Sequence, residues 1–296
     1  MSTRIEPVAP KAGFLPLWRR ITRVLHPLAI VATAVLLLIV LCAILSPYMG
    51  TLDPRALAPT QRLRPPSELH WLGTDQFGRD VWSRVVYGAR VSLTVGLAVA
   101  VTGVLIGTFV GVAAGYVRWV DAIVMRVMDG LMAIPGILLA IALVSLSGAS
   151  RLTVIVAITV PEVPRVVRLV RSIVLSVREE PYVEAAISVG TPLPTLLWRH
   201  VLPNCVPPLI VQATYIAASA MLTEAILSFL GAGTPPETPS WGNMMAEGRT
   251  FFVIAPWIVL LPGTALALTI LSVNILGDAL RDRLDPKLAQ RTGGPR

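Results

Sequence analysis

Charge is scarce in this chain. Charged side chains make up 14% of its 296 residues, where soluble domains carry about 25%. Hydrophobic residues make up 54% and mean hydropathy is +0.72. No single water-soluble core of this size can hide that much apolar surface, so the bilayer must act as solvent. Lysine is nearly absent: only Lys11 and Lys287 break an otherwise all-arginine set behind the net charge of +8. The basic residues lie in loops between apolar runs, which membrane orientation explains and which excludes a nucleic-acid partner. The two cysteines, Cys42 and Cys205, form no C-x-x-C, so neither a disulfide framework nor a zinc site is indicated. The three histidines, His26, His70 and His200, show no metal-binding spacing. There is no G-x-S-x-G, no H-E-x-x-H and no G-x-x-x-x-G-K-[ST]. The chain therefore lacks the parts of an enzyme, holds no metal and does not cradle a nucleotide itself.

Six stretches are long enough to cross a bilayer: 28–46, 91–114, 123–146, 152–170, 206–230 and 251–276. The fold class is all-α, a polytopic membrane protein with a peripheral helix on its outer face. The apolar part of the fourth stretch stops near Pro161. Arg165, Arg168 and Arg171 follow at i, i+3, i+6, on one side of a helix leaving the membrane. Arg19, Arg20 and Arg23 precede the first run, which is long for a signal peptide and is taken as a retained span. With the N-terminus inside, 17 Lys and Arg residues fall on the inner side and 8 on the outer side, favouring N-in and C-in. The long outer loop, 48–90, runs against that trend because it is rich in Arg. The organisation is a cytoplasmic tail (1–27), a transmembrane domain (28–276) with a cytoplasmic loop at 181–204, and a cytoplasmic C-terminal tail (277–296).

Within the spans, Gly103, Gly107, Gly111 and Gly115 form a smooth stripe at i+4 spacing. Small residues let helix backbones approach closely in lipid. The stripe serves either packing inside the subunit or pairing with a second one. Pro135–Gly136, Pro161 with Pro164, and Pro262–Gly263 interrupt three spans and predict bends. Asp129 lies three residues after Arg126 and is expected to pair with it. Glu162, between two prolines, is either a helix partner at the kink or a pathway residue. Glu224, after Thr223, has no basic residue within a helical turn and must face a cavity, a partner chain or a polar neighbour. Glu162, Thr223 and Glu224 are the candidate substrate pathway. In the outer loop, Asp75 and Asp80 could cap short helices, with Trp71, Phe77 and Trp82 anchored at the interface.

One polar stretch between spans, "EAAISVGTPLPTLLWRHVLPN" (184–204), is longer than a connector needs. Pro181 can start a helix and Gly190 can end it. Thr191 is a good N-cap, with Pro192 at the first position of a second helix. Leu193, Leu196, Leu197 and Trp198 are its expected apolar surface, and exposed apolar surface calls for a partner.

The order E-A-A, three residues, Gly190, nine residues, then His200, Val201, Leu202 and Pro203 resembles the E-A-A loop of bacterial ABC importer permeases. His200 stands where the general pattern has Ile, a feature of the dipeptide, oligopeptide and nickel branch. Three further segments resemble that branch: "LGTDQFGRDVWSRVVYGARVSL" (72–93), "LSFLGAGTPPETPSWGNM" (227–244) and "GDALRDRLDPKL" (277–288). The resemblance implies a multi-pass permease of the bacterial plasma (inner) membrane. It implies pairing with a second, similar permease as a heterodimer. It also implies two cassette ATPase subunits that bind ATP and Mg, and an extracytoplasmic substrate-binding protein delivering di- or oligopeptides or a related small solute. The chain itself binds no cofactor on this reading. The segment 181–204 becomes the coupling region seated on an ATPase, with Glu184, Ala185, Ala186, Gly190, Leu193, Leu196, Leu197, Arg199, His200, Leu202 and Pro203 as its residues. The alternative is a secondary carrier or channel working without ATP, for which Glu162 and Glu224 are the candidate ion sites.

Overall fold

The computed structural model describes residues 27–235 and 237–284 and is all-helical, with no strand among the described residues. The tail residues Arg19, Arg20, Arg23 and Lys287 lie outside that range.

Helix α1 (Pro27–Leu45) is apolar all round, and its buried residues are the small Ala29, Ala32 and Ala43. Small side chains allow a close approach to a neighbouring helix while the large ones face lipid. Helix α2 (Val81–Tyr116) starts at Val81, not at the expected Val91, because Asp80 accepts the Ser83 backbone N–H and caps the helix there. Its 36 residues give a rod about 54 Å long. Helices α3 (Arg118–Met132) and α4 (Gly136–Ser147) meet at a 90° bend. Pro135 causes it, since it lacks an N–H to continue the ladder and disfavours helical geometry at Ile134. By contrast, α5 (Arg151–Arg178) runs unbroken through Pro161 and Pro164.

The chain then makes a short helix α6 (Pro181–Ser188), a single turn α7 (Leu193–Leu196), a π turn (Leu197–Val201) and the long α8 (Leu202–Phe229). A peripheral helix α9 (Trp241–Gly248) precedes α10 (Trp257–Leu284). The last expected span, 251–276, is shifted. Helix α10 keeps going to Leu284, and Gly277 lets it lie against Thr214 of α8. Pro262 leaves it unbroken.

Among the described residues, four segments are long and apolar enough to span a membrane by themselves: Pro27–Tyr48, Val81–Tyr116, Leu193–Phe229 and Trp257–Leu284. The bent pair α3–α4 makes a fifth if counted as one crossing. Helix α5, the expected fourth span, is not among these, since Glu162, Arg165 and Arg168 interrupt its apolar run; its buried valines pack inside the bundle.

The main core joins Val95 and Val99 of α2, Val166, Val170 and Val174 of α5, and Ile216 and Leu227 of α8. The glycine stripe explains how α2 meets α5. A Cβ on Gly111 would lie 2.8 Å from Val170 Cβ, and one on Gly115 would lie 2.6 Å from Val174 Cβ. Gly107 sits just as tightly against Val166, whereas nothing lies within 4 Å of a Cβ on Gly103. Three of the four glycines thus serve packing inside the chain.

Candidate functional site

The segment 181–204 folds as two short helical arms around a glycine turn. Glu180 is extended and Pro181 opens α6, as its fixed φ allows. Gly190 has φ +84°; its N–H bonds to the Ile187 carbonyl and the Thr191 N–H to the Ala186 carbonyl. This is a Schellman ending, which needs a left-handed residue. A Cβ on Gly190 would meet nothing within 4 Å, so the demand for glycine inside this chain is conformational. The second arm starts one residue later than expected, with Pro192 at the N-cap position of α7 and no side-chain cap from Thr191. In the π turn the Leu202 N–H reaches the Leu197 carbonyl. Pro203 has no N–H to offer Arg199, which leaves room for that wider turn.

Val183, Leu196, Val201 and Cys205 are buried and tie both arms to the core through Val170, Val174 and Val177. Leu196 is 1% exposed, so it holds the loop down and is not part of the outward surface predicted for it. Across the arms, the rings of Tyr182 and His200 lie 6.2 Å apart, and Asn204 Nδ2 donates to Tyr182 Oη at 3.1 Å. Glu184, Ala185, Arg199 and Pro203 are exposed, while Ala186, Leu197 and Leu202 are half-buried. Facing outward are Tyr182, Ile187, Val189, Leu193 and Trp198, with Val189 at 86% and Trp198 at 77% exposure.

The arginine row of α5 grips α3. Arg168 Nη2 donates to Asp129 Oδ1 at 2.6 Å, and Arg171 makes a two-pronged bond to Asp121. Asp129 therefore pairs with Arg168, not with Arg126, because the neighbouring helix presents a better-placed guanidinium. Arg178 donates to the Gly115 and Tyr116 carbonyls and lies over the Tyr116 ring. The helix that leads into the loop is thus pinned along α3 and to the end of α2, and at the elbow of α3–α4 it lies beside Gly136 through Pro161.

At that elbow lies a cavity of about 330 Å³ lined by Pro135, Gly136, Pro161, Glu162, Arg165, Ser219 and Thr223. Glu162 accepts from Arg165 Nη1 at 3.2 Å and from Ser219 Oγ at 3.3 Å. Thr223 donates to the Ser219 carbonyl at 2.8 Å. Glu224 does not line this cavity. It is fully buried on the other side of α8 and accepts from Ser228 Oγ at 2.9 Å and Thr234 Oγ1 at 3.4 Å. Its polar neighbour was visible four residues along, in Ser228.

The far end of the bundle carries a cluster that sequence reasoning missed. Asp75, Arg79, Arg84 and Glu247 form a buried ion network, with Arg84 1% exposed and 3.1 Å from Glu247. His70 bridges Asp80 (2.9 Å) and Gln61 (2.5 Å). Trp241 donates to the Val85 carbonyl at 3.0 Å and Trp257 to the Thr74 carbonyl at 3.3 Å. These bonds join residues 61–84 to α9 and the start of α10.

A family model described as the binding-protein-dependent transport system inner membrane component matches residues 103–290, and the chain belongs to that family. It is 55% identical over 267 residues to a protein of Sinorhizobium fredii named a probable peptide ABC transporter permease, covering 90% of this chain and 91% of the relative. It is 45% identical over 275 residues to a dipeptide transport system permease of Alkalihalophilus pseudofirmus, covering 92% of this chain and 90% of the relative. Among solved structures, the inward-facing MetNI methionine ABC transporter matches with a TM-score of 0.53 at 18% identity, covering 68% of this chain and 96% of that one. That likeness shows the shared fold. The protein is a multi-pass membrane permease subunit of a binding-protein-dependent importer, and its family is one of transport components, not of enzymes.

Proposed function

We propose that this chain is one permease of an ATP-driven importer for di- or oligopeptides or a related small solute in the inner membrane of a bacterium. It crosses the membrane six times, N-in and C-in, and pairs with a second permease as a heterodimer. A binding protein outside supplies the solute, and two ATPase subunits inside hold ATP and Mg. This chain holds no cofactor. The observation that carries the reading is the loop 181–204: both arms are anchored by buried valines and Leu196, yet Val189, Leu193 and Trp198 stand exposed. A surface so rigidly mounted and so apolar is suited to seating in a groove of another protein. Closure of the ATPases on ATP then moves the seated loop. The move is transmitted through Val174–Val183 packing and the Arg168 and Arg171 pairs to the α3–α4 elbow. The cavity there sets a carboxylate and a guanidinium side by side, a match for the two charged ends of a peptide.

The names of the relatives support peptides as the solute class. Purification of the C-terminally tagged chain in mild detergent, followed by mass spectrometry, tests the assembly. Cassette ATPases and a second permease should accompany it. A homo-oligomer free of ATPase after crosslinking would sink the reading in favour of a solitary carrier.

A further inference from the structure

At the end of the bundle away from the coupling loop, a cavity of about 670 Å³ opens between residues 51–55, the first turns of α2, the start of α5 and residues 238–239. Three guanidiniums line it, those of Arg55, Arg90 and Arg151, with Asp53 as the single carboxylate. Among the described residues none of the three is in salt-bridge contact with an acid. Asp53 Oδ1 is already accepting from the Arg55 backbone N–H at 2.9 Å. Two further arginines of this end, Arg79 and Arg84, are neutralised by Asp75 and Glu247. Of the six arginines in the loop 48–90, Arg79 and Arg84 are thus cancelled, while Arg55 and Arg90 gather with Arg151 around one cavity.

Two features show that this charge does not serve the fold. Arg151 is the first residue of α5, right after the N-cap Ser150. A cation there opposes the positive end of the helix dipole, and the free N–H groups of the same turn favour an anion. Arg90 reaches only the Ile44 carbonyl at 3.5 Å and stacks loosely over Tyr87, with 5.8 Å to the ring centre. Neither contact satisfies a guanidinium. The cavity also touches Val91 and Thr94 of α2, and Ile44 is the penultimate residue of α1; both helices are membrane spans. Since α5 has 28 residues, the site stands about 42 Å from the end that enters the coupling loop. That is the depth of a bilayer with its headgroups, so the site lies at the opposite interface.

We infer that Arg55, Arg90 and Arg151 hold the phosphate of an anionic phospholipid at this interface, with its acyl chains along the flank of α1 and α2. The inference rests on the membrane-spanning reading and not on the cargo or the ATPases. Arginine forks suit phosphate oxygens, and Tyr87 can add a hydroxyl donor. In the leaflet where the positive-inside trend disfavours arginine, a bound anionic lipid would supply the missing counter-charge.

The test is native mass spectrometry of the full chain, purified with whatever subunits accompany it and titrated with phosphatidylglycerol or phosphatidylcholine. Bound phosphatidylglycerol should fall by about tenfold or more when all three arginines become Gln. The triple Lys variant, which keeps the charge, should retain most of it and serves as the folding control. Phosphatidylcholine should bind weakly to both. Equal phosphatidylglycerol retention by the Gln variant would overturn the site. Displacement of the lipid by inorganic phosphate alone would make it a free-anion site and overturn the lipid assignment. Unchanged lipid binding with weakened uptake of free-acid but not C-amidated peptide would assign the arginines to cargo and also overturn it.

Discussion

The two ends of this bundle are built on opposite principles. At the cap end, a set of buried charges and one indole is paired inside the chain: Arg84 meets Glu247 and Asp75, His70 meets Asp80, and Trp241 meets the Val85 carbonyl. At the loop end, the satisfied part is a thin root of buried valines, while Val189 and Trp198 stand out uncovered. The cap is tied together by its own ion pairs, although Leu69, Trp71 and Val253 stand exposed there as well. An end that leaves large apolar groups in water is finished by another protein. Each end should therefore fail in its own way when cut.

The largest expected effect is at the cap. Glu247→Ala leaves the buried Arg79 and Arg84, 8% and 1% exposed in the side chain, with Asp75 as the one remaining acid between them. Removing one partner of a buried ionic network costs about 3–5 kcal/mol. The variant should lose most of its abundance in the membrane, or a large part of its melting temperature in detergent. A stable, abundant Glu247→Ala protein would show that the cap is not self-sufficient.

Next comes the root of the loop, tested against its surface. Leu196→Ala should cost about 2–4 kcal/mol, because a buried side chain leaves a cavity. Trp198→Ala, only a few ångströms of chain away, should change stability by less than about 0.5 kcal/mol. It should nevertheless weaken co-purification of the ATPase subunits by about tenfold, as an exposed aromatic anchor does. If Leu196 and Trp198 behaved alike in both assays, the division between root and docking surface would fall.

The seam between α2 and α5 is intermediate. Gly111→Val drives side-chain carbons into Val170 and the Val167 carbonyl, for about 1–3 kcal/mol of destabilisation. Gly103→Ala has open space and should leave the melting temperature unchanged. A loss at Gly103 comparable to that at Gly111 would point to a contact outside this chain.

Much of the loop end could be read from sequence because its signals are local. Pro181, Gly190 and the proline at 203 act within one or two turns, and the structure realises the turn they specify. The glycine stripe was readable as a smooth face, and its partner valines on α5 were not, because they lie about sixty residues on. Asp129 illustrates the failure mode: an i, i+3 neighbour in Arg126 looked sufficient, but Arg168 from another helix took the carboxylate at 2.6 Å. The segment 72–93 stood out in the sequence, but its ion pairs were hidden, since Arg84 and Glu247 are 163 residues apart. The start of α2 was placed at the first apolar residues, when the signal was the cap at Asp80. Glu224 has no base beside it; one carboxylate oxygen takes the hydroxyl of Ser228, and the other finds no partner among the described residues.

The smallest and sharpest effect is at Gly190. Its φ of +84° disfavours any residue with a Cβ, yet no atom among the described residues would lie within 4 Å of that Cβ. Within the chain, Gly190→Ala should therefore cost about 1 kcal/mol of turn strain, and Gly190→Asn less, since Asn tolerates left-handed geometry. Two outcomes separate strain from docking. If uptake fails in Ala and recovers in Asn, the turn geometry is what matters and the open face at Gly190 stays in solvent. If Ala and Asn impair ATPase-coupled uptake equally, at normal abundance, the partner must press against that face, and the glycine is there for the groove as well as for the turn. The docked-loop model requires the second result: a surface held this rigidly, with nothing of its own chain above it, has room for a Cβ only until the ATPase arrives.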